Sequence, residues 1–390
     1  MNVAHYYGLA GLLIGLVVGL SWNFGTRQSS AIATEELPVV LTEVSVNDNN
    51  AQTVPSLPQP AQATSPVPPP TSTPTSPTTE FGVSHRFSGM DLVDARLAMA
   101  FDEIIYNTQD LDDFAKSVNS AVWRGPEDNH NPAVIMRIQA LLNWHHHSVG
   151  AVDGKMTLNT IKAMHVFQQL HDLPTSNEMN AQTWAKLTAN QALMRQPVLV
   201  RYQIVDQDFI KVNSKGRSTY KNGSEAIGER FHMSLDLLKQ LNKGVVITAG
   251  NTITVYNPYE PNKTPIHRVV VKRDQNILYA YDENNRLTAT YPTTVNLART
   301  PQGTYQVTSR VLDPVYNKDF SNKKTAISAG PNNPVGRVWI GIDKPTFGIH
   351  GSPEPEKISQ QSSAGCVRLT NWDALGLFAT IENGATVVFD

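Results

Sequence analysis

The alternation of apolar and polar positions divides the chain into stretches with different periods. Tyr7 to Phe24 form an apolar, uncharged run. It is longer than an ordinary signal-peptide core and short for a membrane span. No Lys or Arg precedes it, and Ala31-Ile32-Ala33 offers a small-x-small cleavage pattern. Residues 1–33 are therefore expected to be a signal anchor or signal peptide, with the membrane as a tether and the envelope outside the cytoplasm as the destination. From 34 to 83 the period disappears into Pro, Thr, Ser and Gln, as in Pro66-Val67-Pro68-Pro69-Pro70. Such a segment buries too little to order itself and reads as a disordered spacer.

A helical period occupies 84–187. Leu92, Leu97, Ala100, Phe101, Ile104 and Ile105 recur at helical spacing, and Asp110 is placed to cap a short helix through Leu111, Phe114 and Val118. The pattern sharpens over 131–187. Pro132 opens a helix with Val134, Ile135, Ile138, Leu141 and Leu142 on one face. Thr157 caps a second carrying Leu158, Ile161, Met164, Phe167 and Leu170, and Asn180 caps a third through Trp184 and Leu187. Over 199–257 the period changes twice. Val200, Tyr202 and Ile204 alternate as a strand, Ser234 starts a helix with Leu235, Leu238 and Leu241, and Ile253 and Val255 return as a strand; Lys211 to Ser224 is polar and reads as a loop. From 266 to 390 strand alternation dominates, with one helical stretch from Trp372 to Ile381 and a last strand over Thr386–Phe389. The whole is a multidomain α+β chain: a three-helix bundle, a small strand-helix-strand module, then a β-rich, sandwich-type domain.

Composition narrows the partners. Among 390 residues, 40% are hydrophobic, enough for real cores, and the net charge of −2 gives no basic field, so nucleic acid is not an expected partner. No P-loop, Gly-x-Gly-x-x-Gly or His-Glu-x-x-His occurs, so no cofactor is expected. His145-His146-His147 invites a metal reading. Adjacent side chains on a helix diverge, and no Cys or acidic cluster completes a site, so no metal is assigned and a solvated helix end is the expectation.

The one cysteine changes the picture. Cys366 lies in Ser363-Ala364-Gly365-Cys366-Val367-Arg368, sixteen positions after His350 in Ile349-His350-Gly351-Ser352. A thiolate is a strong nucleophile and an imidazole can take its proton. Gly365 permits close approach of backbone N–H groups to a reacting carbonyl, and Gly348 and Gly351 flank His350 as if the backbone there were crowded. Taken singly, Cys366 reads as a small buried hydrophobe and His350 as a satisfied polar residue at a strand end.

Taken together, the segment resembles the catalytic domain of bacterial L,D-transpeptidases. Matching motifs run in order: Thr300-Pro301-Gln302-Gly303-Thr304-Tyr305, Asn333-Pro334-Val335-Gly336 with Trp339-Ile340, the His350 and Cys366 motifs, and Asn371-Trp372-Asp373-Ala374. Ser352 stands where the family usually has Thr, Ala364 where many members have His, and Asn296 where Gly is common. The resemblance implies Cys366 as nucleophile, His350 as base oriented by the carbonyl of Gly351 or Ser352, and Gly365 and Cys366 N–H groups as the oxyanion hole. Ser363 would tighten the loop, and Ser352, Ser363 and Arg368 would face substrate, Arg368 pairing a stem-peptide carboxylate. The implied reaction releases D-alanine from a tetrapeptide stem and passes the acyl group to a second stem as a 3–3 cross-link. Hydrolysis by an L,D-carboxypeptidase, anchoring of a lipoprotein, or a non-catalytic wall-binding scaffold are the alternatives. Val149-Gly150-Ala151-Val152-Asp153-Gly154-Lys155, Thr160 and Phe167-Gln168 resemble the peptidoglycan-binding domain found beside wall enzymes, and 199–257 resembles a degenerate lysin-motif module that binds wall glycan.

Overall fold

The computed structural model describes residues 83–85, 104–209, 219–317, 323–360 and 362–390. The apolar run Tyr7–Phe24, the Pro-rich spacer and the positions from Leu92 to Phe101 lie outside the described residues. Among those described, no helix is long and apolar enough to cross a membrane.

The chain opens with β1 (Val83–His85) and β2 (Ile104–Asn107). Here the helical expectation for Ile104 and Ile105 fails. An Ile-Ile-Tyr run favours a strand, and β2 finds partners on both sides. Helix α1 (Asp113–Asn119) begins later than expected: Asp112, not Asp110, caps it, accepting from the Ala115 N–H at 2.7 Å. Helices α2 (Pro132–Trp144), α3 (Leu158–Leu170) and α4 (Ala181–Leu187) start at Asn131, Thr157 and Asn180, each side chain accepting a first-turn N–H. A short α5 (Gln191–Met194) leads into β3 (Leu199–Gln203). Two helices, not one, then precede β4 (Thr252–Tyr256): α6 (Gly223–Arg230), capped by Asn222, and α7 (Leu235–Leu241), capped by Ser234. Helix α6 buries only Ala226, Ile227 and Gly228, too narrow a stripe to show as a period. Strands β1-β2-β3-β4 form one sheet, and a single apolar cluster running from Tyr106 through Ile138, Leu142, Phe167, Ile227 and Leu238 to Tyr256 unites helices and sheet.

The C-terminal region contains β5 (Ile266–Lys272), β6 (Ile277–Tyr281), β7 (Leu287–Pro292), β8 (Gly303–Leu312), β9 (Val338–Ile342), β10 (Gly348–His350), β11 (Val367–Arg368), α8 (Asn371–Thr380) and β12 (Ile381–Phe389). The sandwich expectation needs correction. These strands form one curled eight-stranded sheet in the order β11-β10-β9-β8-β12-β5-β6-β7. The ten-residue β8 makes this possible: Gly303–Gln306 pair with β12 and Val307–Leu312 with β9, with a register shift between Val307 and Ser309. An irregularity of this kind bends a strand and raises its twist, so one sheet can wrap its own core. Ile266, Val269, Leu278, Val338, Ile349, Val367, Leu377 and Val387 are in that core.

The helical region packs on this sheet. Ser148 N–H donates to Thr290 O, and Thr290 N–H to His146 O, both at 2.9 Å. The histidine triplet lies at this seam, which corrects the solvated-end expectation. His145 Nε2 meets Leu187 O at 3.2 Å, His147 Nδ1 meets Thr290 Oγ1 at 3.1 Å, and His146 has φ 63°. Burial holds the His147 imidazole far below its ordinary value, to about 3, as a neutral packing group.

Candidate active site

The site is built on two short parallel strands. In β10 and β11, Ile349 lies beside Val367 and His350 beside Arg368. Extending that register by one residue sets Gly348 beside Cys366. Side chains at paired positions share a face, so Cys366, His350 and Arg368 all project from one side, with Cys366 one pleat step from His350. A third strand seals the group: Trp339 of β9 pairs with His350, and its ring stacks on the imidazole with centroids 5.8 Å apart and planes at 20°. Cys366 packs against the small cluster of Trp339, Tyr316 and Val335.

His350 is buried and aimed. Its Nδ1 lies 2.7 Å from Gly351 O, which makes Nδ1 the protonated nitrogen and leaves the Nε2 lone pair free to accept. Burial pulls the imidazole down to about 4; the Gly351 contact opposes this and Arg368 adds to it. Burial likewise pushes the Cys366 thiol up to about 11, against the Gly348 N–H and Arg368, which favour the thiolate. Both shifts favour a neutral thiol beside a neutral imidazole. Cys366 Sγ donates to Thr346 O at 3.6 Å. Thr346 itself has φ 69°, an unusual conformation for a β-branched residue, in the turn before β10.

The glycines are explained by crowding. A Cβ on Gly348 would meet Ile340 O at 2.6 Å and Trp339 Cζ2 at 2.8 Å. One on Gly351 would collide with Asn371 Oδ1. Gly365 has φ 139°, with Phe347 Cε1 3.0 Å from the place a Cβ would take.

The loop before the cysteine is held from two sides. Ser363 Oγ accepts from the Gly365 N–H at 3.1 Å, Asn296 Nδ2 donates to Ser363 O at 2.9 Å, and Thr300 Oγ1 donates to Gly365 O at 2.8 Å. The Gly365 N–H is thus occupied, while no bond from the Cys366 N–H is found among the described residues. Ser352 Oγ accepts from the Glu354 N–H at 3.2 Å, a local turn contact. The Arg368 guanidinium has no hydrogen bond or ion pair among the described residues, and its Nε is buried. Sequence reasoning missed Trp339, Thr346, Asn371 and the loop-holding roles of Asn296 and Thr300. Trp339 and Asn371 stood inside matched motifs, which was the available signal.

A family model for the L,D-transpeptidase catalytic domain, the YkuD family, matches residues 266–389. A curated relative in Bacillus licheniformis, YkuD, named as an L,D-transpeptidase, is 30% identical over 168 residues, spanning 42% of this chain and 90% of that protein. The chain belongs to this family. It is an L,D-transpeptidase-family enzyme. The Bacillus subtilis YkuD is 28% identical over 169 residues, covering 42% of this chain and 92% of the relative. The Salmonella typhimurium protein ErfK/SrfK is 27% identical over 179 residues, covering 42% of this chain and 58% of the relative. The likeness exceeds the catalytic domain: 42% of 390 residues is about 164, against 124 from Ile266 to Phe389, and only Asp390 follows. The alignment therefore reaches back into the region of α6, α7 and β4. Among solved structures, an L,D-transpeptidase segment (residues 123–326) from Xylanimonas cellulosilytica overlays 68% of this chain and 94% of its own at 15% identity and a TM-score of 0.32, too low to add to the assignment.

Proposed function

We propose that this enzyme forms 3–3 cross-links in peptidoglycan, with Cys366 as nucleophile and His350 as its base. The observation that carries this is the imidazole pinned by Gly351 O on the same face as the cysteine. Because burial favours the neutral pair, the proton moves as sulfur attacks: Nε2 of His350 takes it while the Sγ–C bond forms at the carbonyl of the third stem residue. The developing oxyanion takes the Cys366 N–H; the Gly365 N–H joins only if the Ser363 hydroxyl turns away. The C–N bond to the terminal D-alanine then breaks, and His350 returns its proton to the leaving amine. An amine of a second stem attacks the thioester, loses a proton to His350, and releases the thiol. Arg368, with no hydrogen bond or ion pair among the described residues and beside His350, is the group to bind a stem carboxylate, with Ser352 and Ser363 shaping the loops around it.

The helices over 131–187 and the module over 199–257 would hold wall peptidoglycan, and the apolar run at 1–33 would carry the chain to the envelope and tether it there. The test is incubation with disaccharide-tetrapeptide, wild type beside Cys366→Ala, with mass analysis of enzyme and products. Cross-linked dimer that needs Cys366 supports the proposal. Tripeptide alone makes the enzyme a carboxypeptidase, and turnover by Cys366→Ala removes the nucleophile assignment.

A further inference from the structure

The base geometry of His350 depends on Gly351, and Gly351 is walled by Asn371, which is itself held from outside the matched catalytic segment. The Gly351 N–H donates to Val338 O at 3.2 Å, and a Cβ on Gly351 would collide with Asn371 Oδ1, so no side chain fits there. Asn371 is fully buried and each of its polar atoms is used. Its Oδ1 accepts from the Arg337 N–H at 3.0 Å. Its Nδ2 donates to Pro331 O at 3.0 Å and to Glu229 Oε2 at 2.9 Å. Glu229 belongs to α6, in the region before residue 266. Its other oxygen accepts from Tyr220 OH at 2.8 Å. The nearby cation, Arg337, is paired with Asp313. A buried carboxyl from the N-terminal region therefore fixes an amide that walls the carbonyl orienting the base.

We infer that Glu229 is a positioning residue for the reaction, acting through Asn371 and Gly351 on His350. A buried carboxyl is costly to keep, and a docking contact needs none; an apolar side chain of the same length would fill the space. What the carboxyl adds is an acceptor that sets which way the Asn371 amide faces. Turned over, that amide would present its NH2 to the Arg337 N–H and to Gly351, and the carbonyl that pins the imidazole would be pushed from its place. On this account the catalytic segment alone carries the reacting groups but not the whole of their alignment.

The inference rests on His350 and Cys366 acting as proposed, and the test separates the two. In the full chain, Glu229→Met is made on a Tyr220→Phe background, so that no hydroxyl is left unpaired beside the apolar side chain. Glu229→Gln keeps an acceptor for Asn371, and Cys366→Ala is run alongside. Two quantities are measured: kcat and KM for acyl transfer from disaccharide-tetrapeptide, and the rate of alkylation of the sole cysteine by iodoacetamide. Relative to Tyr220→Phe, added Glu229→Met is expected to lower kcat about tenfold with KM within about twofold, since small misplacements of reacting groups cost rate rather than binding. It should also slow alkylation at pH 7, where the neutral thiol needs an aligned base to take its proton; Glu229→Gln should restore both. An unchanged kcat and alkylation rate in the Met variant, or a Gln variant as impaired as Met, overturns the inference while Cys366→Ala stays inactive. Activity in Cys366→Ala would instead overturn the reading beneath it.

Discussion

The seam between the N-terminal region and the curled sheet, and the catalytic face of that sheet, both bury polar and charged groups, but they finish them differently. At the seam, Glu229 accepts from Asn371 and Tyr220, Asp373 accepts from Ser148 Oγ at 3.0 Å, and Lys162 Nζ reaches Asn276 O at 3.1 Å and Ser359 Oγ at 3.0 Å. At the catalytic face, Arg368 has no partner among the described residues and the Trp339 indole N–H is buried unbonded. A buried polar group left unpaired costs free energy, so a protein keeps one where something else completes it. The seam groups named above find protein partners, with Asn159 Oδ1 left buried and unbonded among them; on the proposed function, substrate completes the Arg368 side of the face. The seam also reaches the site: Lys162 and Asn159 hold Ser359 and Ile358, in the loop joining His350 to Cys366.

The largest effect should come from the face. His350→Ala should lower acyl transfer about 1,000-fold, the usual worth of a general base, while the fold persists. The pH profile sharpens the point. With burial pulling the imidazole to about 4, it is already neutral at pH 5. The acid limb of kcat/KM should therefore fall near pH 4, not near the ordinary histidine value. A limb near 6.5 would mean that the imidazole is solvated, and the contrast with the seam would weaken.

At the seam the leading effect should be on stability. Burial pushes the Asp373 carboxyl up to about 7; Thr370 and Ser148 oppose this, and the Tyr291 ring also faces it. The folded value lies above the unfolded one, so the native state holds a proton that the unfolded state lacks between about pH 4 and 7. Stability therefore falls as pH rises through that window. Asp373→Asn should remove the fall, leaving the variant more stable at pH 8 by up to about 4 kcal/mol and nearly unchanged at pH 4. Urea unfolding at the two pH values measures this; a variant less stable than wild type at pH 8 would count against it.

The same division explains what the sequence made legible. The proposed nucleophile and base stood out because the lone Cys366 and His350 sit in crowded glycine motifs, and Pro132 and the caps at Thr157, Asn180 and Ser234 are short-range signals. The seam was illegible for the opposite reason. Glu229 and Asn371 are 142 positions apart, and nothing local marks either as a partner of the other. Ile104 and Ile105 misled because a strand's partners are also distant: β2 is held by β1 and β3. The single sheet in place of a sandwich turns on one register shift in β8, which leaves no mark in its alternation.

A smaller effect should follow from filling the backbone gap beneath the cysteine. Gly348→Ala would press a methyl against Ile340 O and the Trp339 ring, neither of which has room to yield. Overpacking of this kind should cost about 2 kcal/mol in denaturant unfolding. It should also slow acylation, since a shift of this backbone would carry Gly348 N–H, which favours the Cys366 thiolate, away from the sulfur. A variant of full stability would mean that this corner of the sheet is looser than its contacts indicate.

The smallest predicted effect is the most specific. Arg368→Lys keeps the charge beside His350 but loses the planar fork that grips a carboxylate with two N–H groups. If substrate completes this side chain, KM for the tetrapeptide donor should rise about tenfold with kcat little changed. A donor whose C-terminal carboxylate is amidated should bind wild type and variant alike, because the group that tells them apart is gone. Equal KM values for the free acid would place Arg368 with the structural cations of the interior. The catalytic face would then differ from the seam only in its thiol and imidazole.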